Sequence, residues 1–233
     1  MLNKWRTIKT IDFYTKKTKM MWSLPPNVFH IRRILEMLEY LYEEEKKDCF
    51  INNEESYKVD PTGFMVRITA YVMIVTNVEA IIKETYRYLK VYLKSIKYEK
   101  ILPSNKKIKE LTKDFDKYYT YRNKIFAHTS FAKQKDNEGN IDTLSTQFTS
   151  LHYISGSMLG IKDKNYCLGN SYIHIEGQPS VNLPEIDIIN DHIFIREHFV
   201  KWANIFSDII KSLENEKENL FKKGDFKDII FRN

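Results

Sequence analysis

The segment ITAYVMIVTNVEAII, residues 68–82, is apolar on most sides of a helix. It belongs to a helical pattern that begins at Asp60-Pro61, an acidic N-cap residue followed by proline at the first helical position. Apart from Gly63, no residue interrupts this pattern before about Tyr98. Because a helix that is apolar on most sides must be surrounded by other elements, we expect residues 68–82 to lie at the centre of a helical bundle.

Two further helical patterns flank this segment. One follows Asn27, a suitable N-cap residue, and fades in the charged run 43–48. Its apolar positions recur three or four residues apart: Val28, Ile31, Leu35, Leu38 and Leu41/Tyr42. The other follows Ser104, which can also act as a cap, and covers roughly residues 106–131 in one piece or two.

A fourth long helix is predicted near the end of the chain. Asn190-Asp191 can cap it, and we expect Gly224 to end it and leave a short tail. Its apolar stripe consists of Phe199, Ala203, Phe206, Ile210 and Leu213. This pattern again predicts a helix with one buried face.

The remaining segments are predicted to be less regular. Residues 132–190 hold five of the seven glycines and several β-leaning patches, which indicates an insertion of loops with one or two β-hairpins. Residues 1–26 are mixed and basic and predict an arm or a short irregular lead-in. The predicted fold is therefore mainly α: an antiparallel four-helix up-and-down bundle in a single domain, residues 27–233, with a small loop and β-hairpin insertion before the last helix.

The composition bounds the environment and the partners. The net charge of +6 permits a nucleic-acid partner, although a lysine-rich soluble surface accounts for the charge at least as well. Cys49 and Cys167 form no Cys-x-x-Cys pair, which indicates free thiols in a reducing compartment. The most apolar run, residues 71–82, is too short to span a bilayer, and no targeting segment is visible. We therefore expect a cytoplasmic protein that does not contact a membrane.

One stretch is typical of an active site: YRNKIFAH, residues 121–128, in which Arg122 and His128 enclose five residues. Metal-free RNA cleavage uses the substrate's own 2′-OH as nucleophile, and it needs a group that transfers a proton near neutral pH. His128 suits that role. It also needs a fixed positive charge against the phosphorane, which suits Arg122. These two residues are the predicted catalytic pair.

The neighbours of this pair can assist it. Asn123 can hold a phosphate oxygen or orient His128, Lys124 can attract the RNA backbone, and Tyr121 can stack on a base or form a hydrogen bond. The string resembles the Arg-x(4–6)-His signature of the HEPN superfamily, and more narrowly its phage-exclusion (abortive-infection) and toxin members. Asn123 after the arginine and Ala127 before the histidine match that pattern.

The resemblance implies an endoribonuclease that needs no metal or cofactor, acts on RNA in a toxin or phage-defence role, and has a cognate antitoxin or inhibitor as a candidate partner. On a regular helix, Arg122 and His128 are roughly 120° apart and about 9 Å apart along the axis. The arginine must therefore reach round the helix, or the helix must bend, or a second copy must complete the site. HEPN nucleases, as the resemblance implies, commonly dimerise so that two motifs line one cleft, and we expect a homodimer.

Other interpretations of the same residues stay open. The chain can be a non-catalytic HEPN-like module that binds RNA or a protein partner. It can also be a structural or regulatory protein with no nucleic-acid role. In that case Arg122 pairs with Asp114, Asp116 or a distant acidic residue, and His128 caps or ends a helix.

Two other stretches contain residues of functional types. The Tyr/Lys-rich segment 86–100 can form a nucleic-acid surface, but such a segment is more often a solvated helix face. His192 and His198 are six residues apart without a His-Glu-x-x-His pattern, so no metal site is predicted.

Overall fold

In the computed structural model the chain is mainly helical, with small antiparallel sheets. The structure describes residues 1–15, 21–51, 61–112, 115–122, 132–135, 141–144, 159–162, 165–168, 172–173, 181–182, 185–223 and 226–232. Within these ranges, no helix is both long enough and apolar enough to cross a membrane.

Three long helices and four short ones lie in the described parts of the chain. The α-helices are α1 (Leu2–Arg6), α2 (Val28–Ile51), α3 (Pro61–Ser95), α4 (Asn105–Thr112), α5 (Asp116–Tyr121), α6 (Ile188–Asn215) and α7 (Lys217–Lys223), and a 3-10 turn covers Glu99–Ile101. The strands are β1 (Thr10–Thr15), β2 (Met21–Leu24), β3 (Ala132–Lys135), β4 (Ile141–Leu144), β5 (Leu159–Lys162), β6 (Asn165–Leu168), β7 (Tyr172–Ile173), β8 (Val181–Asn182), β9 (Ile186–Asp187) and β10 (Phe226–Arg232).

The helix starts expected from capping signals are confirmed for α2, α3 and α4. Helix α2 begins directly after Asn27 and α3 begins at Pro61. The hydroxyl of Ser104 accepts the backbone N–H of Lys107 at 3.3 Å in the first turn of α4. On α2 the apolar positions Val28, Ile31, Leu35 and Leu38 are buried, whereas Leu41 and Tyr42 are partly exposed. In the segment 68–82 of α3 one face is buried, and Ile74 and Ile81 are partly exposed. The buried residues of that face are Ile68, Tyr71, Val72, Val75, Val78 and Ile82.

The prediction of an arm over residues 1–26 is wrong for the part that the structure describes. These residues form α1, β1 and β2, and β1 pairs on one side with β2 and on the other with β10. Trp5 is fully buried, and its indole N–H donates to the carbonyl of Phe199 at 3.0 Å. Ile11 and Phe13 in β1 are also fully buried, so apolar burial holds this segment in place.

The predicted insertion contains more strand than expected. Antiparallel pairs join β3 to β4, β5 to β6 and β7 to β8, and β9 adds a third strand beside β6. One or two hairpins had been expected in residues 132–190. The β-leaning character of the segment is confirmed, and only the number of strand pairs differs.

The last part of the chain differs from the prediction at both ends of the helix. Helix α6 begins at Ile188, and its cap is Asp187 rather than Asn190-Asp191, because a carboxylate oxygen of Asp187 accepts the N–H of Ile189 at 2.8 Å and of Asn190 at 3.1 Å. Helix α6 ends at Asn215, well before Gly224, and the expected tail is strand β10.

The chain divides into two compact units. Unit 1 comprises Met1–Met37, Asn77–Thr112 and Phe194–Asn233, and unit 2 comprises Leu38–Thr76 and Lys113–Ile193. This division falls within α2, α3 and α6 and does not separate residues 1–26 from the rest of the chain. The sequence motif belongs to unit 2.

Candidate active site

The first part of the motif lies on a short, well-buried helix. Helix α5 follows Phe115, and Arg122 continues its helical backbone at φ −53° and ψ −53°. Phe115, Tyr118 and Tyr121 recur every third residue, and all three are fully buried. This buried aromatic face fixes the position from which Arg122 projects.

Arg122 and Tyr121 are the motif residues that fall within the described part of the chain. Asn123, Lys124 and His128 lie outside the described residues, so the distance from Arg122 to His128 remains a prediction. Tyr121 is fully buried. Its expected role of stacking on a base is therefore wrong for this structure, because a base cannot reach a buried ring.

Arg122 has hydrogen-bonding capacity that no described residue satisfies. The residue is partly exposed, while its Nε atom is buried and has no hydrogen-bond partner among the described residues. Asp114, one of the acidic residues considered as its partner from the sequence, lies outside the described residues. A buried guanidinium N–H without a partner is uncommon, because desolvation without a compensating hydrogen bond is unfavourable.

An ion pair holds α5 against the start of α6. Lys117 Nζ donates to a carboxylate oxygen of Asp191 at 2.6 Å, and the other oxygen of Asp191 accepts the backbone N–H of Asp187 at 3.2 Å. Burial raises the pKa of Asp191, and the charge of Lys117 opposes that increase. Burial raises the pKa of Tyr118 far above its usual value, and the nearby charge of Asp191 raises it further.

A second polar cluster in unit 2 surrounds His192, which is fully buried. Its Nε2 lies 3.2 Å from a carboxylate oxygen of Glu39, and its Nδ1 lies 3.2 Å from the hydroxyl of Tyr71. The ring of Tyr42 stacks on the imidazole with centroids 4.1 Å apart and planes 7° apart. Burial raises the pKa of Tyr71 well above its usual value, and the charges of Asp191 and Glu39 contribute. His192 therefore has a partner at each ring nitrogen.

His198 belongs to unit 1 and has a different environment. Its Nε2 lies 2.8 Å from a carboxylate oxygen of Glu79 and 3.1 Å from the indole nitrogen of Trp202. Lys83 Nζ lies 3.2 Å from the other oxygen of Glu79. Across the part of the chain that the structure describes, no three His, Cys, Asp or Glu side chains are grouped in a way that could hold a metal ion.

Sequence reasoning missed the residues that anchor α5. Lys117 and Asp191 are 74 positions apart, so no local spacing connects them. For His192 a signal did exist, because the residue lies on the apolar stripe of α6 with Ile188, Ile195 and Phe199. A histidine on such a stripe needs buried hydrogen-bond partners, and Glu39 and Tyr71 provide them.

No protein-family model, curated protein or solved structure matches the chain. The resemblance of residues 121–128 to the HEPN motif consequently rests on the sequence alone.

Proposed function

We propose that this chain is a metal-independent endoribonuclease of the HEPN type, with Arg122 and His128 as its catalytic pair and Asn123 in support. The observation that carries the proposal is the Arg-Asn-x4-His string, whose arginine directly follows helix α5 in a mainly helical chain. The partial exposure of Arg122 supports it, because a guanidinium that meets solvent can donate to a phosphate oxygen. The proposed fold is the four-helix up-and-down bundle, and the proposed setting is a toxin or phage-defence system.

The chemistry follows from the residue types. His128 removes the proton of a ribose 2′-OH, and the 2′ oxygen forms a bond to the adjacent phosphorus. Arg122 offsets the charge that builds on the phosphorane oxygens. The bond from phosphorus to the 5′ oxygen then breaks, and that oxygen takes up a proton. The products are a 2′,3′-cyclic phosphate and a 5′-hydroxyl, and Lys124 assists by attracting the RNA backbone.

A homodimer is part of the proposal. On one helix the two catalytic side chains would project roughly 120° apart, so a site built from two copies brings the required groups together more easily. In such a site the second copy's motif supplies the proton to the leaving 5′ oxygen. A cognate antitoxin or inhibitor would then act by covering this shared cleft.

Incubation of the full chain with RNA in EDTA tests the function. We expect cleavage that leaves 2′,3′-cyclic phosphate ends, while a DNA oligonucleotide of the same sequence stays intact because it lacks the 2′-OH. His128→Ala and Arg122→Ala should each reduce the rate by about 10²–10⁴-fold. The matched controls His30→Ala and Arg33→Ala, both at exposed positions, should retain the rate of the wild type.

The opposite results would remove the proposal. Intact RNA with the wild type over a range of substrates would leave only the non-catalytic module, and full activity in both motif variants would place the catalysis elsewhere. The dimer has its own test. A mixture of Arg122→Ala and His128→Ala proteins should recover part of the activity, and a strict monomer by light scattering that still cuts RNA would contradict a shared site.

A further inference from the structure

The positive charge of this protein is concentrated in one segment of unit 1. Residues 83–110 contain nine lysine or arginine residues and three acidic residues. The net charge of this segment therefore equals the +6 of the whole chain, and the rest of the chain is neutral overall. The excess of positive charge that is mild over the whole chain is therefore strong within this segment.

The first part of this charge follows one face of α3. Its four basic residues recur four, three and four positions apart: Lys83, Arg87, Lys90 and Lys94. On a helix they lie within about 60° of one another and extend about 16 Å along the axis. The core-facing residues Ile82, Leu89 and Leu93 are buried on another face, so the basic stripe is directed away from the core.

The charge continues beyond α3 without a break in the chain. The link after α3, the 3-10 turn and α4 together add five exposed lysines: Lys97, Lys100, Lys106, Lys107 and Lys109. Lys90 Nζ donates to the side-chain oxygen of Asn105 at 3.1 Å, which places the start of α4 beside the stripe on α3. We name these nine residues the lysine surface.

Ion pairs neutralise only part of the lysine surface. Its pairs with acidic groups are Lys83 with Glu79, Arg87 with Glu84, Lys100 with Glu216 and Lys106 with Glu110. Lys94, Lys97 and Lys107 are exposed and make no ion pair with any residue that the structure describes. A row of cations in water with few intramolecular partners attracts a polyanion.

We propose that the lysine surface binds the phosphate backbone of RNA, in addition to any contact at residues 121–128. A protein interface has a desolvated core depleted of charge, which a stripe of four basic residues does not provide. A basic helix that binds membranes inserts an apolar face, whereas the apolar face of α3 is buried in the protein. The linear series of cations fits a linear polyanion, and its binding is independent of base sequence.

The test measures binding of the full chain carrying His128→Ala, so that the RNA stays intact. A fluorescein-labelled single-stranded RNA of mixed sequence is titrated by anisotropy between about 50 and 200 mM salt. Added to that parent, the triple change Lys94→Gln, Lys97→Gln and Lys107→Gln should reduce affinity roughly 10–100-fold at low salt and lower the salt slope by about 2. The control Lys4→Gln, Lys201→Gln and Lys211→Gln alters the net charge equally at exposed positions of unit 1 and should leave affinity within about twofold.

A footprint on the parent protein gives a second measurement that does not depend on the folding of a variant. RNA should protect Lys94, Lys97 and Lys107 from an acetylating reagent, and it should leave Lys4, Lys201 and Lys211 reactive. Equal losses of affinity in both triple variants, or no protection of the lysine surface, would overturn the proposal. The same holds if phosphatidylserine vesicles bind through these three lysines while RNA does not.

The proposal is independent of catalysis. A wild type that binds RNA through the lysine surface and leaves it intact would refute the ribonuclease function and keep this inference. If the wild type cleaves RNA and the triple variant binds RNA with undiminished affinity, the ribonuclease function is supported and this inference is refuted.

Discussion

Two buried histidines on helix α6 differ in how far the carboxylate beside each of them is exposed to water. The carboxylate beside His198 belongs to Glu79, whose side chain is 0% exposed, and the carboxylate beside His192 belongs to Glu39, whose side chain is 21% exposed. The histidines are six residues apart on one helix and have the same type of partner. We therefore expect removal of the more buried carboxylate to destabilise the protein more.

The two clusters also differ in what they connect. The His192 cluster includes Tyr71. Burial is the main cause of the raised pKa of Tyr118 in helix α5, and Asp191 and then Tyr71 raise it further. The polar groups of unit 2 are thus near the helix that carries Arg122. The His198 cluster in unit 1 includes Trp202 and Lys83. We therefore expect changes around His198 to affect stability most, and changes around His192 and Asp191 to affect the surroundings of the candidate site.

The largest effect is expected for Glu79→Ala. Removing one partner of a fully buried pair leaves the other polar group without compensation, and the expected loss in the free energy of unfolding is about 3 kcal/mol. Urea unfolding measures it. Glu84→Ala, which removes an exposed carboxylate paired with Arg87 on the same helix, is the matched control and should cause no measurable loss. If Glu79→Ala lost as little stability as this control, the buried pair of Glu79 and His198 would contribute no more to stability than an exposed ion pair.

The next effect is expected for Tyr71→Phe. The change keeps the buried ring and removes the hydroxyl that lies 3.2 Å from Nδ1 of His192, so a buried ring nitrogen loses its partner where water cannot replace it. The expected loss is about 2 kcal/mol in the same unfolding measurement. Tyr40→Phe, at a position 63% exposed on α2, provides the control for loss of a phenol and should be silent. A silent Tyr71→Phe would show that the contact with His192 does not stabilise the fold.

A smaller loss is expected for Glu39→Ala. This carboxylate is partly exposed, so water can take its place at Nε2 of His192, and the expected loss is about 1 kcal/mol. The ring contacts with Tyr42 and Tyr71 remain and should keep the imidazole in its position. The result to look for is the order Glu79→Ala, Tyr71→Phe, Glu39→Ala in decreasing loss. A reversed order of the two glutamates would contradict the comparison between the clusters.

Local signals predicted a large part of the fold. Pro61 marks the start of α3 and Ser104 caps α4, because capping depends on residues within one turn of each other. The buried stripe of α6 was predicted for the same reason, since its spacing is set by the helix itself. Such features need no knowledge of distant parts of the chain.

Features that depend on distant partners were missed. Residues 1–26 were expected to form an arm, and strand β1 is ordered by β10, whose Arg232 pairs with Thr10 more than 220 positions away in the register. Asp187, Asn190 and Asp191 are all good cap residues, and the structure selects Asp187 where β9 ends. At the candidate site the sequence placed Arg122 within a helical segment of roughly residues 106–131, and in the structure Arg122 directly follows α5. The ion pair between Lys117 and Asp191 could not be predicted, because no sequence pattern around either residue indicates that the two are in contact.

The smallest effect concerns the charge of Asp191 and appears as a change with pH. Burial holds the pKa of Asp191 above its ordinary value of 3.8, so the folded protein binds this proton more tightly than the unfolded chain does. The contribution to stability is therefore fully present below the ordinary pKa and is lost as the pH rises through the raised one. Asp191→Asn has no such proton. We expect the free energy of unfolding of the wild type, relative to Asp191→Asn, to increase as the pH falls from neutrality towards 3.8.

The comparison of the two proteins at each pH isolates this one group, because all other carboxyl groups titrate in both. Lys117 stabilises the carboxylate of Asp191 and so opposes the increase in its pKa. When Lys117→Met is introduced into both proteins, we therefore expect a larger pH-dependent difference in their free energies of unfolding. A difference that shrinks or reverses as the pH falls would mean that the ion pair outweighs burial. In that case the charge of Lys117, rather than desolvation of Asp191, would determine how α5 is held at the start of α6.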